Sequence, residues 1–220
     1  MEIIEVKKGL FEIKKSLFDL LEEYKRASNI TEEYEEQLRH DIHELYNKYL
    51  KICVCLDKKA PDYNGGMWPY KNNCYYYALN LREPKMFQDI YTEIFYEGFY
   101  NRLGEIGGKP LPRRFTEKEI LEGLYADLDA LKIRSYESGL NKENNNGGYK
   151  IALYMRDKDV IGIPDFHFIR QNSDGTWSEK NGYNDGIHVV SDPHNLTSHS
   201  NYEYIQTLEL VKPSIKELSL

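Results

Sequence analysis

The apolar residues of this chain repeat at helical spacing as far as about Lys132, and from Tyr149 onward they follow the two-residue period of strands. A single change of period of this kind puts helices first and an antiparallel sheet last, the α+β pattern. Ile3, Val6, Leu10, Ile13, Leu17, Leu20, Leu21 and Tyr24 recur at three- and four-residue steps, so a helix is expected from residue 3 to about 27. Ser28, Asn29 and Ile30 interrupt it, and Thr31 followed by Glu32 and Glu33 has the form of an N-cap with an acidic first turn. A second helix runs to about Cys55 through Tyr34, Leu38, Ile42, Leu45, Tyr49 and Ile52. The two form a helical hairpin, residues 1–56, ahead of an α+β domain, residues 57–220. Both helices are long for a small domain, so the hairpin either packs on the body or offers a surface to a protein partner.

In the body, Met86, Ile90, Ile94, Phe95, Phe99 and Leu103 fit a helix over 86–103, and a Gly/Pro loop follows to Pro112. That loop lacks the spacing and the terminal Ser/Thr of a phosphate-binding loop. Thr116 and Glu119 stand in capping-box spacing at the start of a helix reaching about Lys132. Asn141 to Gly148 is a polar, exposed connector.

Strands are expected at Tyr149–Met155, Phe166–Gln171, Thr176–Lys180, Val189–Val190 and Tyr202–Val211. Asn172-Ser173-Asp174-Gly175 marks a hairpin between the second and third. With Gly175 left-handed in a three-residue loop, Asn172 pairs with Thr176, Ile169 faces Glu179, and His167 faces Asn181. A two-residue turn would instead bring Lys180 opposite His167.

Composition excludes several functions. The 220 residues carry a net charge of −7, which argues against nucleic-acid and membrane-surface partners, both of which need a basic face. Met1-Glu2-Ile3-Ile4-Glu5 puts acid where a secretory signal needs positive charge, and no run reaches the length of a membrane span. The expected location is therefore a cytosol, the producing cell's own or a host's. The cysteines, Cys53, Cys55 and Cys74, are odd in number and lack the spacing of a disulfide framework or a zinc site, and no cofactor or metal is implied. Nineteen tyrosines suit a core with wet edges or a broad contact surface.

Cys74 is the residue with the clearest chemistry. It opens Asn73-Cys74-Tyr75-Tyr76-Tyr77-Ala78-Leu79-Asn80, a segment whose apolar residues could line one side of a short helix, behind the polar loop of Pro61 to Asn73. A thiol at a helix start meets unpaired backbone N–H groups that favour thiolate. Asp165-Phe166-His167-Phe168-Ile169 sets a histidine in a strand. A cysteine nucleophile needs such a base and a polar group to orient it, and the hairpin register offers Glu179 or Asn181. Oxyanion donors would come from the Cys74 N–H and from Tyr70, Asn72 or Asn73. The plainer readings are a core cysteine among tyrosines and a structural strand histidine. Asp185, His188, Asp192 and His194 invite a metal reading, although Asp192-Pro193-His194-Asn195 has turn chemistry; Asp185 or Asp192 could also orient His167. His40 and His43, three apart on the second helix, read as a solvated face.

The segment from Asn73 to Leu79 resembles the nucleophile helix of papain-like cysteine hydrolases of the NlpC type. Gly148-Tyr149-Lys150-Ile151-Ala152-Leu153 and the run Asp165 to Lys180 are similar to a stretch recurring in papain-like proteins of bacteria and viruses, of the form D-[YF]-H-[FW]-[YI]-R-Q-x-S-D-G-x-W-S-H-K-P-G. The resemblance spans about residues 61–213 and leaves out the hairpin. It implies Cys74 as nucleophile, His167 as base and a helix packed on an antiparallel sheet. The chemistry expected of that pair is hydrolysis or acyl transfer at an amide or ester of a peptide or protein substrate. The chain departs from the pattern at Glu179, where that group has His, and at Asn181, where it has Pro. The alternative from another class is a non-catalytic interaction module on the same scaffold.

Overall fold

The computed structural model describes residues 3–26, 31–56, 73–81, 103–157, 164–182, 186–196 and 201–217. Among the described residues, four α-helices, α1 (Ile3–Arg26), α2 (Glu32–Leu56), α3 (Cys74–Ala78) and α4 (Glu117–Ala130), precede six strands. The strands are β1 (Arg134–Ser138), β2 (Tyr149–Arg156), β3 (Asp165–Gln171), β4 (Trp177–Lys180), β5 (Ile187–Val190) and β6 (Glu203–Val211). The loop expected over residues 61–72 and most of the helix expected over 86–103 lie outside the described residues.

The expected apolar stripes of α1 and α2 meet each other. Leu17 and Leu21 from α1 and Leu38, Ile42, Tyr46, Tyr49 and Leu50 from α2 are buried. Near the turn, the Tyr24 hydroxyl donates to Glu35 Oε1 at 2.7 Å, and Arg39 donates to the same Tyr24 oxygen at 2.7 Å. These hairpin residues belong to one continuous apolar cluster with Tyr75, Leu128, Leu153, Phe168 and Leu208. The hairpin therefore packs on the body, although Phe11, Phe18 and Tyr34 stay exposed.

The sheet runs β1-β6-β2-β3-β4-β5, and every neighbouring pair is antiparallel. Its two faces follow the pleat. Ile151, Leu153, Phe168, Leu208 and Leu210 face the helical core, while Ala152, Tyr154, Ile169 and Trp177 join Leu140 and Leu196 in a smaller cluster. The β3–β4 hairpin adopts the three-residue loop: the Asn172 N–H donates to Thr176 O at 2.7 Å, Gly175 has φ +85°, and Ile169 pairs with Glu179. The α4 capping box is also present, with Thr116 and Glu119 exchanging hydrogen bonds.

Three features differ from the sequence reading. β1 was not expected, because Arg-Ser-Tyr-Glu-Ser carries no apolar alternation; as an edge strand it is held by backbone pairing to β6. α3 is only five residues long and buried on every side, where one apolar face was expected. A helix this short aligns few peptide dipoles, so its end gives the thiol little electrostatic help. The 141–148 connector is exposed but tied down: Glu209 accepts from the backbone N–H groups of Asn145, Asn146 and Gly148 at 3.1, 2.8 and 3.1 Å.

Candidate active site

The three consecutive tyrosines after Cys74 do different jobs. Asn73 is the N-cap of α3, and its Oδ1 accepts the Tyr76 N–H at 3.0 Å. The Tyr75 hydroxyl donates to Asp127 Oδ2 on α4 at 2.8 Å. Asp127 also accepts the N–H groups of Gly104 at 2.7 Å and Gly107 at 2.6 Å, joining α3, α4 and the turn at residues 103–108. Burial holds the Asp127 carboxyl up at about 6, against the pull of these hydrogen bonds.

Tyr77 is held from the sheet side. Its hydroxyl lies 2.6 Å from Ser178 Oγ, and Ser178 donates onward to Asn172 Oδ1 at 2.8 Å. Ser178 has one proton to give, so Tyr77 is the donor in the first of these bonds. Arg170 donates through Nη1 to Tyr77 O at 3.1 Å and Asn80 Oδ1 at 3.2 Å, with its guanidinium 3.9 Å from the centre of the Tyr77 ring. The segment that begins at Cys74 is thus pinned to α4 on one side and to the β3–β4 hairpin on the other.

His167 sits on β3 opposite Tyr154 of β2, and the registered pairs of β3 with β4 stop at Ile169. Its Nε2 lies 3.0 Å from Glu179 Oε2, and both side chains are buried. Glu179 is within reach because Ile169, its direct partner, shares a pleat face with His167. Cys74 stands close enough to the same imidazole to act on its protonation.

Burial alone would pull the His167 pKa down. Hydrogen-bonding and electrostatic interactions with Cys74 and Glu179 outweigh burial and raise it to about 9. The raised pKa favours the imidazolium form of a ring that has Cys74 and the Glu179 carboxylate as neighbours. That arrangement can hold a thiolate ready for attack and return a proton to a leaving group.

Of the other residues expected at the site, Asn181 follows β4 and is half-buried, while Tyr70, Asn72 and Asp185 lie outside the described residues. His188 pairs with Glu179 across β4 and β5 and is exposed. Asp192 forms a turn, its Oδ1 accepting the His194 N–H at 2.9 Å and its O the Asn195 N–H at 3.2 Å. Among the described residues, no group of three or more His, Cys, Asp and Glu side chains could hold a metal ion. His43 lies 3.0 Å from Asn47 Nδ2 along α2.

Sequence reasoning missed Asp127, Arg170 and Ser178 as supports of α3, and Tyr202 as a neighbour of the histidine. The Tyr202 ring stands edge-on to His167 with centroids 6.4 Å apart, and its hydroxyl donates to Asp165 Oδ2. Asp127, polar within the apolar pattern of α4, was the one available signal for a buried polar anchor.

No family model, no curated protein and no solved structure matches this chain.

Proposed function

We propose that this chain is a papain-like cysteine hydrolase or acyltransferase acting on an amide, peptide or ester bond. The observation that carries the reading is the convergence of Cys74, His167 and Glu179, drawn from a helix and two strands. A helix bearing the nucleophile, packed on an antiparallel sheet bearing the base, also fits the expected family resemblance.

The Cys74 thiolate attacks the carbonyl carbon, forming an S–C bond as the C=O π pair moves onto oxygen. As the tetrahedral adduct collapses, the bond to the leaving amine or alkoxide breaks and the His167 imidazolium protonates that group. A thioester on Cys74 remains. His167, now neutral, takes a proton from water or an acceptor amine, which attacks the thioester and releases Cys74 as thiolate. Glu179 holds the ring through Nε2 and stabilises its charged form. The peptide substrate expected from the resemblance suits this chemistry, and the net charge of −7 favours a neutral or cationic one.

The test is acyl trapping. A p-nitrophenyl ester should give a burst of nitrophenol and an acyl adduct on Cys74, seen in the intact mass and peptide map. Cys74→Ala and His167→Ala should abolish both. An adduct spread over Cys53 and Cys55, or a burst unaffected by His167→Ala, would sink the reading.

A binding module is the second reading. It is favoured by the exposed aromatics of the hairpin, with Phe11 65% exposed, and by Cys74 being only 7% exposed. It predicts no acyl adduct.

A further inference from the structure

β3 carries two unlike devices three residues apart. His167 is the candidate base, and Arg170, on the opposite pleat face, reaches to α3. The Arg170 side chain is wholly buried. Its Nη1 donates to two neutral acceptors, the Tyr77 carbonyl and the Asn80 carboxamide oxygen, and the guanidinium lies over the Tyr77 ring. These contacts grip the trailing end of the helix whose leading residue is Cys74.

A guanidinium in a core is costly, and well-packed apolar residues of similar volume are often neutral or stabilising in its place. What a guanidinium supplies there is direction, because a planar fork stacked on a ring meets its acceptors at set angles. α3 needs that direction from outside. Five residues are too few to hold a helical turn by their own hydrogen bonds.

We infer that Arg170 is a positioning residue of the candidate dyad, setting the Cys74 sulfur against His167 through its hold on Tyr77 and Asn80. The inference rests on the cysteine-nucleophile reading. The strand that carries the base thereby also fixes the helix that carries the nucleophile, so the two move as one. Misplacing reacting groups by about 1 Å can cost roughly 100-fold in rate, so a hold of this kind acts directly on chemistry.

The test is the pH profile of alkylation by iodoacetamide between pH 5 and 9, with each cysteine resolved by peptide mapping. Wild type is compared with Arg170→Met, Arg170→Lys and Asn80→Gly. Asn80 has φ +52°, a conformation glycine accepts, so Asn80→Gly removes the acceptor without backbone strain and stands in if the buried Arg170→Met chain does not fold. Wild-type Cys74 should react at pH 6 far faster than an ordinary thiol. Arg170→Met and Asn80→Gly should slow it at pH 6 by about tenfold or more, consistent with a displaced sulfur. Arg170→Lys should recover part of the rate, and Cys53 labelling should not change. Folded variants that keep the wild-type profile would overturn the role of Arg170 and leave the dyad standing. A wild-type Cys74 profile like that of an ordinary thiol would overturn the dyad, and this inference with it.

Discussion

His167 and Glu179 are a buried pair, Nε2 to Oε2 at 3.0 Å, with 4% and 2% of their surfaces exposed. They lie on adjacent strands of one hairpin, and the turn at Asn172–Gly175 brings them together.

Glu179→Gln keeps the shape of this contact and removes its charge. The His167 pKa should fall from about 9 toward its ordinary value of 6.5, which an NMR titration of the ring would read. The loss of stability should be on the order of 1.5–3 kcal/mol below pH 6, the range for a hydrogen bond to a charged group. A ring that still titrates near 9 would remove Glu179 from the site.

Stability should depend on pH through the same ring. Its folded pKa is raised from 6.5 to about 9, so folding favours the protonated form. The stabilisation is complete below about 6.5 and is lost as pH rises through about 9. Asp127 acts in the same direction lower down: raised from 3.8 to about 6, it costs stability as pH climbs through that interval. Urea midpoints of wild type and His167→Gln should converge between pH 6.5 and 9.5. A constant gap across that range would refute the linkage.

Two glycines should respond unlike each other to alanine. At Gly175 an added Cβ meets nothing within 4 Å, so only the left-handed backbone at φ +85° is penalised, by about 1 kcal/mol. At Gly148 the Cβ would lie 2.1 Å from Leu210 O, a clash with the backbone of β6. Gly148→Ala should therefore lower the urea midpoint several times more than Gly175→Ala, and equal effects would contradict the packing.

Tyr75→Phe and Asp127→Asn remove the two ends of one buried hydrogen bond. Each should destabilise the fold, and a double-mutant cycle should give a coupling of about 1 kcal/mol or more. Additive losses would mean that Asp127 serves only the Gly104 and Gly107 N–H groups.

Much of the fold could be read from local chemistry. Thr116 and Glu119 declared a helix start. Asn172 and Gly175 declared a turn, and with it the register that puts Ile169 opposite Glu179. A capping box and a left-handed glycine act over three or four residues, so their meaning survives without the rest of the chain. β1 was hidden for the opposite reason: its residues bury little, and what makes it a strand is the free edge of β6, supplied from the far end of the sequence. The parting of α3 into a Tyr75 bound to α4 and a Tyr77 bound to β4 was hidden too, because three adjacent tyrosines look alike until partners stand around them.

The residue types at Cys74, His167 and Glu179, their places on a helix or strand, and the hairpin geometry were determined by the sequence alone. Tertiary structure decided that Cys74, His167 and Glu179 come together in the interior, and that Arg170 and Asp127 bind the segment that follows Cys74. Contacts between residues so far apart depend on how α3 and α4 dock on the sheet. That docking follows from the filling of the shared core by many side chains together, which no local pattern encodes.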